Sequence, residues 1–359
     1  MSDCFANKSL LAQGIDAFEF GNDRVQMTVL PEKGADIAHW VHRPSGIDVM
    51  WRSPWGLRRH RGNTTSSTTT AVAWMDAYEG GWQVLFPSGG GPSEYRGVEL
   101  SFHGEASSVA WDVEEFGASS DGAGLRCSTR LARSPFRLVR EMTVRPGTSH
   151  VEITETVTND GGESIEYMWG HHPAYGAPFI SSDTVIDTNA RMVTVDSALT
   201  SDTSQLEAGS RFAWPAAEQK GQPVDLSQIP GEGAGIANMA YLHDFEGDVA
   251  WYGITNRRLG FGAGLAWSAN DSPCAWFWQE LHASSGYPWY KGCYVMAIEP
   301  NTSFPGLGLA KMIETTGMQR SLAAGESASM TMVAALYDSD AGISGIDLNG
   351  TVSLRESRS

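Results

Sequence analysis

Two adjacent histidines, His171 and His172, lie in the stretch W-G-H-H-P-A-Y-G from Trp169 to Gly176 and are well suited to proton transfer. Imidazole has an ordinary pKa near neutrality, so it can serve as a general acid or a general base. Pro173 lacks a backbone donor and favours an extended conformation for the residue before it. The stretch therefore fits a catalytic histidine at a strand end, beside aromatic residues. It fits equally a histidine pair that only caps the strand.

Other strand ends carry further ionisable groups. His103 follows an alternating strand that begins at Val98, and Glu299 follows five largely apolar residues. Loss of solvation raises the pKa of a carboxyl group, which suits Glu299 to the role of general base. The alternative is a carboxylate in a salt bridge at a strand end. A further apolar strand ends in the pair Gln279 and Glu280.

Two histidines and a carboxylate could also bind a divalent metal. No local ligand spacing such as H-x-H supports that interpretation, and the four cysteines are scattered without a C-x-x-C motif. The sequence therefore predicts neither a metal site nor a dense disulfide framework.

The elements that position these groups are predicted to be strands. Almost no segment shows the 3.6-residue period of a helix, whereas short alternating or apolar runs recur between glycine and proline turns. Val151–Val157, Cys274–Trp278 and Tyr294–Ile298 are examples. This pattern predicts an all-β sandwich or barrel.

Composition limits the partners. The formal net charge of −17 disfavours nucleic acid and anionic membranes as partners. No apolar stretch approaches the ~20 residues of a membrane span, and Met1–Gln13 lacks a basic region followed by an apolar run. We therefore expect a soluble, cytoplasmic protein with no membrane partner. The 13 tryptophans are compatible with a carbohydrate site, although β cores also use them.

Taken in order, the motifs H-G-E at His103, H-P-A-Y at His172 and a lone Glu299 after an apolar strand resemble the aldose 1-epimerases, or galactose mutarotase-like proteins. The segments L-F-P-S-G-G-G and W-G-H-H-P-A-Y-G are similar to a less-characterised branch of that superfamily. The resemblance extends over residues 15–340 in order. It implies a large twisted antiparallel β-sandwich, with residues 1–359 forming a single domain.

The resemblance also implies roles for the ionisable groups. His172 would be the acid that protonates the sugar ring oxygen, with His171 as its rival. Glu299 would be the base that removes the proton from the anomeric hydroxyl. His103 would hydrogen-bond the sugar near its ring oxygen. The substrate would be a monosaccharide, and no cofactor or metal would be required.

The chain departs from the common family pattern in its sugar contacts. The family's arginine before the H-G motif is missing, and Arg96 or Arg52 are the candidates to replace it. The family's Asp-His contact is also unclear, because the order here is His243-Asp244. Candidate substrate-binding residues are His171, Trp82, Asp244, Trp278, Gln279 and Glu280. The sequence therefore does not predict which sugar is the substrate.

The sequence thus favours an aldose 1-epimerase, active as a monomer or homodimer. A non-catalytic carbohydrate-binding protein is one alternative, and another sugar isomerase or lyase, metal-assisted or not, is a second. The basic cluster Arg58–Arg61 is read as a solvated loop, with a substrate-holding loop over the site as the alternative.

Overall fold

The computed structural model describes residues 4–58, 69–219 and 221–356. The described chain consists of short strands joined by turns, with two short α-helices and one 3₁₀ turn. Within these ranges, no helix has the length and apolar character needed to cross a membrane.

The first half of the chain contributes fourteen strands. They are β1 (Phe5–Leu10), β2 (Asp16–Gly21), β3 (Val25–Leu30), β4 (Asp36–His42), β5 (Ile47–Asp48), β6 (Trp82–Leu85), β7 (Ser93–Tyr95), β8 (Val98–Leu100), β9 (Asp112–Ala118), β10 (Ala123–Arg130), β11 (Phe136–Val144), β12 (His150–Asn159), β13 (Ile165–Tyr167) and β14 (Gly170–Gly176). Helix α1 (Thr70–Ala77) precedes β6, and the 3₁₀ turn (Ala106–Ser108) precedes β9.

The second half contributes fourteen more strands. They are β15 (Thr184–Thr188), β16 (Ala190–Val195), β17 (Arg211–Ala213), β18 (Ala216–Gln219), β19 (Gln222–Asp225), β20 (Ile236–Phe245), β21 (Val249–Asn256), β22 (Phe261–Ser268), β23 (Cys274–Leu281), β24 (Tyr294–Asn301), β25 (Arg320–Leu322), β26 (Ser327–Asp338), β27 (Ile343–Ile346) and β28 (Val352–Leu354). Helix α2 (Leu309–Thr315) follows β24.

Two antiparallel sheets form the body of the molecule. The larger has twelve strands in the order β1-β2-β3-β4-β6-β14-β24-β23-β20-β16-β17, with β5 beside β4. The smaller has eight strands in the order β15-β21-β22-β26-β12-β11-β10-β9. Four separate two-stranded ribbons complete the fold. The predicted antiparallel β-sandwich is therefore confirmed.

The inner face of the larger sheet supplies much of the main core. Alternate residues of a strand point to opposite faces, so each central strand divides its side chains between two environments. Tyr175 of β14, Phe277 of β23 and Ile298 of β24 pack in the main core with residues of the smaller sheet, such as Ile153. Burial of these apolar side chains away from water is the main stabilising contribution to the sandwich.

The outer face of the larger sheet is also covered near its centre. Trp74 of α1 packs in a cluster with Ala174 and Val295, and Leu309 of α2 packs with Trp276. This cover explains why every residue of β14 is buried. Side chains on the outer face of β14 and β24 therefore lie in an enclosed site and not on open surface.

Candidate active site

His172 and Glu299 lie directly opposite each other on neighbouring central strands of the larger sheet. The register between β14 and β24 pairs Gly170 with Asn301 and Ala174 with Ala297, which places His172 across from Glu299. Both residues lie within strands, so the prediction that they lie at strand ends is wrong. The apolar runs before them continue as strands past the ionisable residues.

The strand ladder beside this pair is interrupted. No backbone pairing is formed between β14 and β24 from Gly170–Asn301 to Ala174–Ala297, the interval that contains Pro173. Proline has no N–H to donate to a ladder. The interruption lies at the point where His172 faces Glu299, and His172 keeps the extended conformation that the sequence predicts.

The His172 ring contacts a hydroxyl on one side and the carboxyl group on the other. Its Nδ1 lies 3.4 Å from the Tyr78 hydroxyl oxygen. Its Nε2 lies 3.7 Å from Oε1 of Glu299. The second distance is longer than a normal hydrogen bond. A proton could pass between the two groups through a bound ligand or after a small movement of either side chain.

Glu299 is 2% exposed, and burial raises its pKa well above the ordinary value. Its Oε2 is buried and has no hydrogen-bond partner within the described residues. Buried polar atoms are nearly always satisfied, so an orphaned carboxyl oxygen on a residue that lines a cavity requires an explanation. A ligand hydroxyl that donates to Oε2 would provide one.

Burial also sets the protonation of His172, lowering its pKa to about 4. At neutral pH the imidazole is therefore neutral. Burial raises the pKa of Glu299, so both shifts favour the uncharged forms of the two side chains. A neutral pair of this kind contains the same number of protons as an imidazolium and a carboxylate.

His103 approaches the pair from a loop and not from a strand of the larger sheet. Strand β8 ends at Leu100 and pairs with β7 in a two-stranded ribbon, and His103 follows in a turn with a positive φ of 58°. Its Nδ1 accepts a hydrogen bond of 3.1 Å from the backbone N–H of Gly90. This contact assigns the proton to Nε2. Burial and the nearby His172 lower the pKa of His103 well below its ordinary value, so it is a neutral donor.

The three ionisable side chains line one cavity of about 330 Å³. The ring centroids of His103 and His172 are 5.6 Å apart, and those of His172 and Trp278 are also 5.6 Å apart. Of the sequence-derived candidates, the structure brings together His103, His172, Glu299 and Trp278. The volume lies at the lower end of the range of roughly 300–1,000 Å³ for small-molecule sites.

Aromatic residues missed by sequence reasoning form much of the remaining wall. Trp74 and Tyr78 project from α1 and its C-terminus, and their rings stack at 4.6 Å. Trp289 belongs to the segment between β23 and β24. Trp74 and Tyr78 are four residues apart, a spacing that places both side chains on one face of a helix. Thr69 precedes them and caps α1 by accepting from the N–H of Val72, so a hydroxyl residue followed by this spacing was the available sequence signal.

His171 and Trp82 lie on the opposite face of the sheet, so the prediction that they contact the substrate is wrong. In a strand, consecutive side chains point to opposite faces, and His171 therefore faces the main core. The Trp82 indole N–H donates to Nδ1 of His171 at 3.1 Å, and Nε2 of His171 lies 3.3 Å from Oε2 of Glu155. Both are fully buried, away from the cavity.

Three further candidates do not line the cavity either. Gln279 also faces inwards, where its side-chain oxygen accepts from Asn238. Glu280 accepts from the backbone N–H groups of the turn at Ala283 and Ser284 and so stabilises that turn. Asp244 is exposed and pairs with Arg191.

The proposed replacements for the family's arginine have other partners. Arg52 donates to the carbonyl of Ala38 and contacts the ring of His39. Arg96 forms exposed ion pairs with Glu163 and Glu166. The basic cluster Arg58–Arg61 lies, from residue 59 onwards, outside the described residues.

A metal site is not formed by the described part of the chain, where no group of three or more His, Cys, Asp or Glu side chains has the required arrangement. The candidate site is therefore an acid–base pair with an aromatic wall. Such a pair can remove a proton from one oxygen of a ligand and deliver a proton to another.

Comparison with known proteins gives a family and a fold. The family model described as "Domain of unknown function (DUF4432)" matches residues 12–336. No curated protein matches the sequence significantly.

Solved structures share the architecture at low identity. A "putative aldose 1-epimerase" from Klebsiella pneumoniae is 15% identical with a TM-score of 0.73, covering 95% of this chain and 85% of that one. A galactose mutarotase-like protein from Clostridium acetobutylicum is 15% identical with a TM-score of 0.65, covering 94% and 99%. A galactose mutarotase related enzyme from Lactobacillus acidophilus is 14% identical with a TM-score of 0.59, covering 91% and 99%. The fold is that of the galactose mutarotase-like proteins.

Proposed function

The chain belongs to the DUF4432 family, and we propose that it is an aldose 1-epimerase, an enzyme that interconverts the α and β anomers of a monosaccharide. The observation that carries the proposal is the pairing of His172 with Glu299 across two central strands, inside a cavity and with an unpartnered carboxyl oxygen. The shared architecture with mutarotase-like proteins supports it at the level of the fold.

The reaction needs two proton transfers. Removal of the proton from the anomeric hydroxyl and protonation of the ring oxygen open the ring to an aldehyde. Rotation about the C1–C2 bond and closure, with the transfers reversed, give the other anomer. One acid and one base are sufficient, each contributing roughly 10²–10⁴-fold.

His172 and Glu299 supply this acid and base. Glu299 accepts the proton of the anomeric hydroxyl, and His172 delivers a proton to the ring oxygen. These roles require the imidazolium–carboxylate form of the pair, which contains the same number of protons as the uncharged form. Because ring closure reverses both transfers, the pair returns to its starting state after each turnover.

His103 and Tyr78 assist without exchanging protons. His103 is neutral and carries its proton on Nε2, so it donates a hydrogen bond towards the ring oxygen. The Tyr78 hydroxyl lies at Nδ1 of His172 and limits the orientation of the ring. Burial and the charge of Glu299 raise the pKa of Tyr78 well above its ordinary value, so it remains a neutral phenol at neutral pH.

Exchange spectroscopy by NMR on a panel of aldoses tests the proposal. We expect the wild-type protein to accelerate anomer exchange of at least one sugar, and Glu299→Gln and His172→Ala each to reduce this acceleration by about 10²–10⁴-fold. The matched control is Asp244→Asn, which removes an exposed carboxylate outside the cavity and should leave the rate unchanged.

The outcomes separate an enzyme from a binding protein. Sugar binding without exchange in the wild-type protein would favour a carbohydrate-binding function. Exchange that survives Glu299→Gln, in a variant with unchanged circular dichroism, would contradict the role of that residue.

A further inference from the structure

Away from the His172–Glu299 pair, the wall of the cavity is apolar. Met75 and Met239 contribute thioether side chains, and Leu199 and Leu307 contribute aliphatic ones. The polar side chains are confined to one end, where His103, His172, Tyr78 and Glu299 meet. A ligand with its reacting centre at this end therefore places its distant part against hydrocarbon.

Two of the four indole rings that line the cavity do not offer their N–H groups to a ligand. The indole N–H of Trp74 donates to the side-chain oxygen of Ser107 at 3.0 Å. The indole N–H of Trp276 donates to the carbonyl of Ser303 at 2.8 Å. Both rings thus have their N–H groups bonded within the protein and present carbon atoms to the cavity.

The backbone of the glycine segments at the cavity edge is bonded within the protein as well. The N–H of Gly91 donates to the carbonyl of Gly306 at 3.2 Å, and the N–H of Gly306 donates to the Tyr241 hydroxyl at 2.9 Å. The N–H of Gly90 donates to Nδ1 of His103, and the carbonyl of Gly90 accepts from the backbone N–H of His103. These N–H groups are therefore not available as donors to ligand hydroxyls.

The charge of the described part of the wall disfavours anions. Among the described lining residues there is no lysine or arginine, and the one ionisable acid is Glu299. A buried carboxylate or phosphate of a ligand would have no counterion there and would be unfavourable.

We propose that this cavity selects a neutral sugar that lacks hydroxyl groups on the part distant from the anomeric carbon, a deoxy or O-methylated aldose. The inference rests on the proposed function, because it assumes that the anomeric carbon faces His172 and Glu299. Each distant hydroxyl buried without a partner costs affinity, whereas a hydrogen or methyl group in its place gains contact with Met239, Trp278 and their neighbours.

Matched sugar pairs test the selectivity. We expect kcat/KM for 6-deoxygalactose to exceed that for galactose by about tenfold or more, and the same order for 6-deoxyglucose and glucose. Galacturonate should react at least tenfold less efficiently than galactose. Equal or inverted ratios within the pairs, or a preference for galacturonate, would overturn the assignment.

A binding measurement separates this inference from the proposed reaction. The methyl glycosides of the same sugars cannot open their rings, so quenching of tryptophan fluorescence reports binding without chemistry. A deoxy preference among the glycosides, with no exchange of any free aldose, would support the selectivity and contradict the epimerase. Exchange of a free aldose without a deoxy preference in either measurement would support the epimerase and contradict the selectivity.

A polar substitution in the wall provides the matched variant. Met239→Gln adds a donor and an acceptor to the cavity and should reduce the deoxy-to-hydroxyl ratio at least threefold. Met192→Gln makes the same change on β16, outside the cavity, and should leave the ratio unchanged. An unchanged ratio in Met239→Gln, with the binding of 6-deoxygalactose retained, would contradict the role of the apolar wall.

Discussion

The His172–Glu299 pair must hold one proton to serve as an acid and a base. Below the pKa of His172, which burial lowers to about 4, both groups are protonated and no base remains. Above the pKa of Glu299, which burial raises well above its ordinary value, neither is protonated and no acid remains. We therefore expect a bell-shaped dependence of kcat/KM on pH, with the acidic limb near pH 4.

Anomer exchange measured between pH 3.5 and 9, corrected for the uncatalysed rate, checks this dependence. Circular dichroism at each pH provides the control that the protein remains folded. An acidic limb at about pH 6.5, the ordinary pKa of a solvated imidazole, would contradict the burial of a neutral His172.

The sequence identifies the types of the candidate site residues but not their surroundings. His172, His103 and Glu299 stand out because ionisable residues next to apolar runs are uncommon. The choice between His171 and His172 depends on which face of β14 meets the smaller sheet, and a strand alternates equally well in either register. Trp74 and Tyr78 were missed because a helix of eight residues gives a weak periodic pattern.

At the scale of elements, the loop from Ser88 to Gly91 holds His103 by a close backbone approach. Gly90 has a φ of +72°, and a Cβ atom built on it would lie 1.8 Å from the carbonyl oxygen of Gly306. Only glycine fits a position with both features. The N–H that Gly90 donates to His103 depends on this approach.

Gly90→Ala should therefore lower both stability and activity. We expect a loss of more than about 2 kcal/mol in the free energy of unfolding, since a backbone clash is added to the left-handed strain of about 1–2 kcal/mol. The anomer exchange rate should fall at least tenfold as His103 is displaced. Urea denaturation and NMR exchange give the two quantities.

Gly97→Ala is the matched control, because Gly97 also has a positive φ of +87° but no atom within 4 Å of the added Cβ. Gly97→Ala should lower the free energy of unfolding only by the left-handed strain and should leave the anomer exchange rate unchanged. Equal effects of the two substitutions on exchange would contradict the proposed function of the Gly90 loop.

The elements themselves were largely predictable, whereas their pairing was not. The run Val151–Val157 forms the middle of β12, and the runs at Cys274 and Tyr294 begin β23 and β24. The position of β14 between β6 and β24 depends on contacts between residues distant in the chain, which local periodicity does not contain. For that reason the sequence predicts strand ends where the structure has a cross-strand pair.

At the scale of the whole molecule, a buried polar network joins the two sheets. Nε of Arg140 donates to Oε1 of Glu155 at 2.5 Å, and the indole N–H of Trp169 donates to Oε2 at 3.0 Å. Burial by itself raises the pKa of Glu155, but the charge of Arg140 and the contact with His171 lower it from an ordinary value of 4.5 to about 2. The inner face of β14, opposite the candidate site, is thus fixed to the smaller sheet.

Glu155→Gln should destabilise the protein by about 3–5 kcal/mol at pH 7, because it leaves the Arg140 guanidinium buried without its counter-charge. A carboxyl group whose pKa is lower in the folded state stabilises the protein above its unfolded value of about 4.5. That contribution is lost as the pH falls towards 2. The difference between wild type and variant should therefore shrink over this interval.

Guanidinium denaturation at pH 7 and pH 3 measures the difference. Glu141→Gln removes an exposed carboxylate that pairs with Arg126 and should cost no more than about 1 kcal/mol at either pH. A difference between wild type and Glu155→Gln that is the same at both pH values would contradict the ionised state of Glu155.

The all-β class follows from the strand pattern, whereas the choice of a sandwich over a barrel follows from the family resemblance. The acidic net charge of −17 and the strand periodicity needed no tertiary information. The enclosure of the site did need it, since α1, the loop with His103 and the segment with Trp289 come from three separate parts of the chain. The apolar character of the cavity is a property of that assembly.

The most direct test is a double-mutant cycle on anomer exchange, with Glu299→Gln, His172→Ala and the double variant measured by NMR at pH 7. If the two residues act as one proton-transferring pair, each single variant loses about 10²–10⁴-fold and the double variant loses no more than about threefold beyond either. Losses that multiply in the double variant, or a single variant that retains the wild-type rate, would contradict the pair.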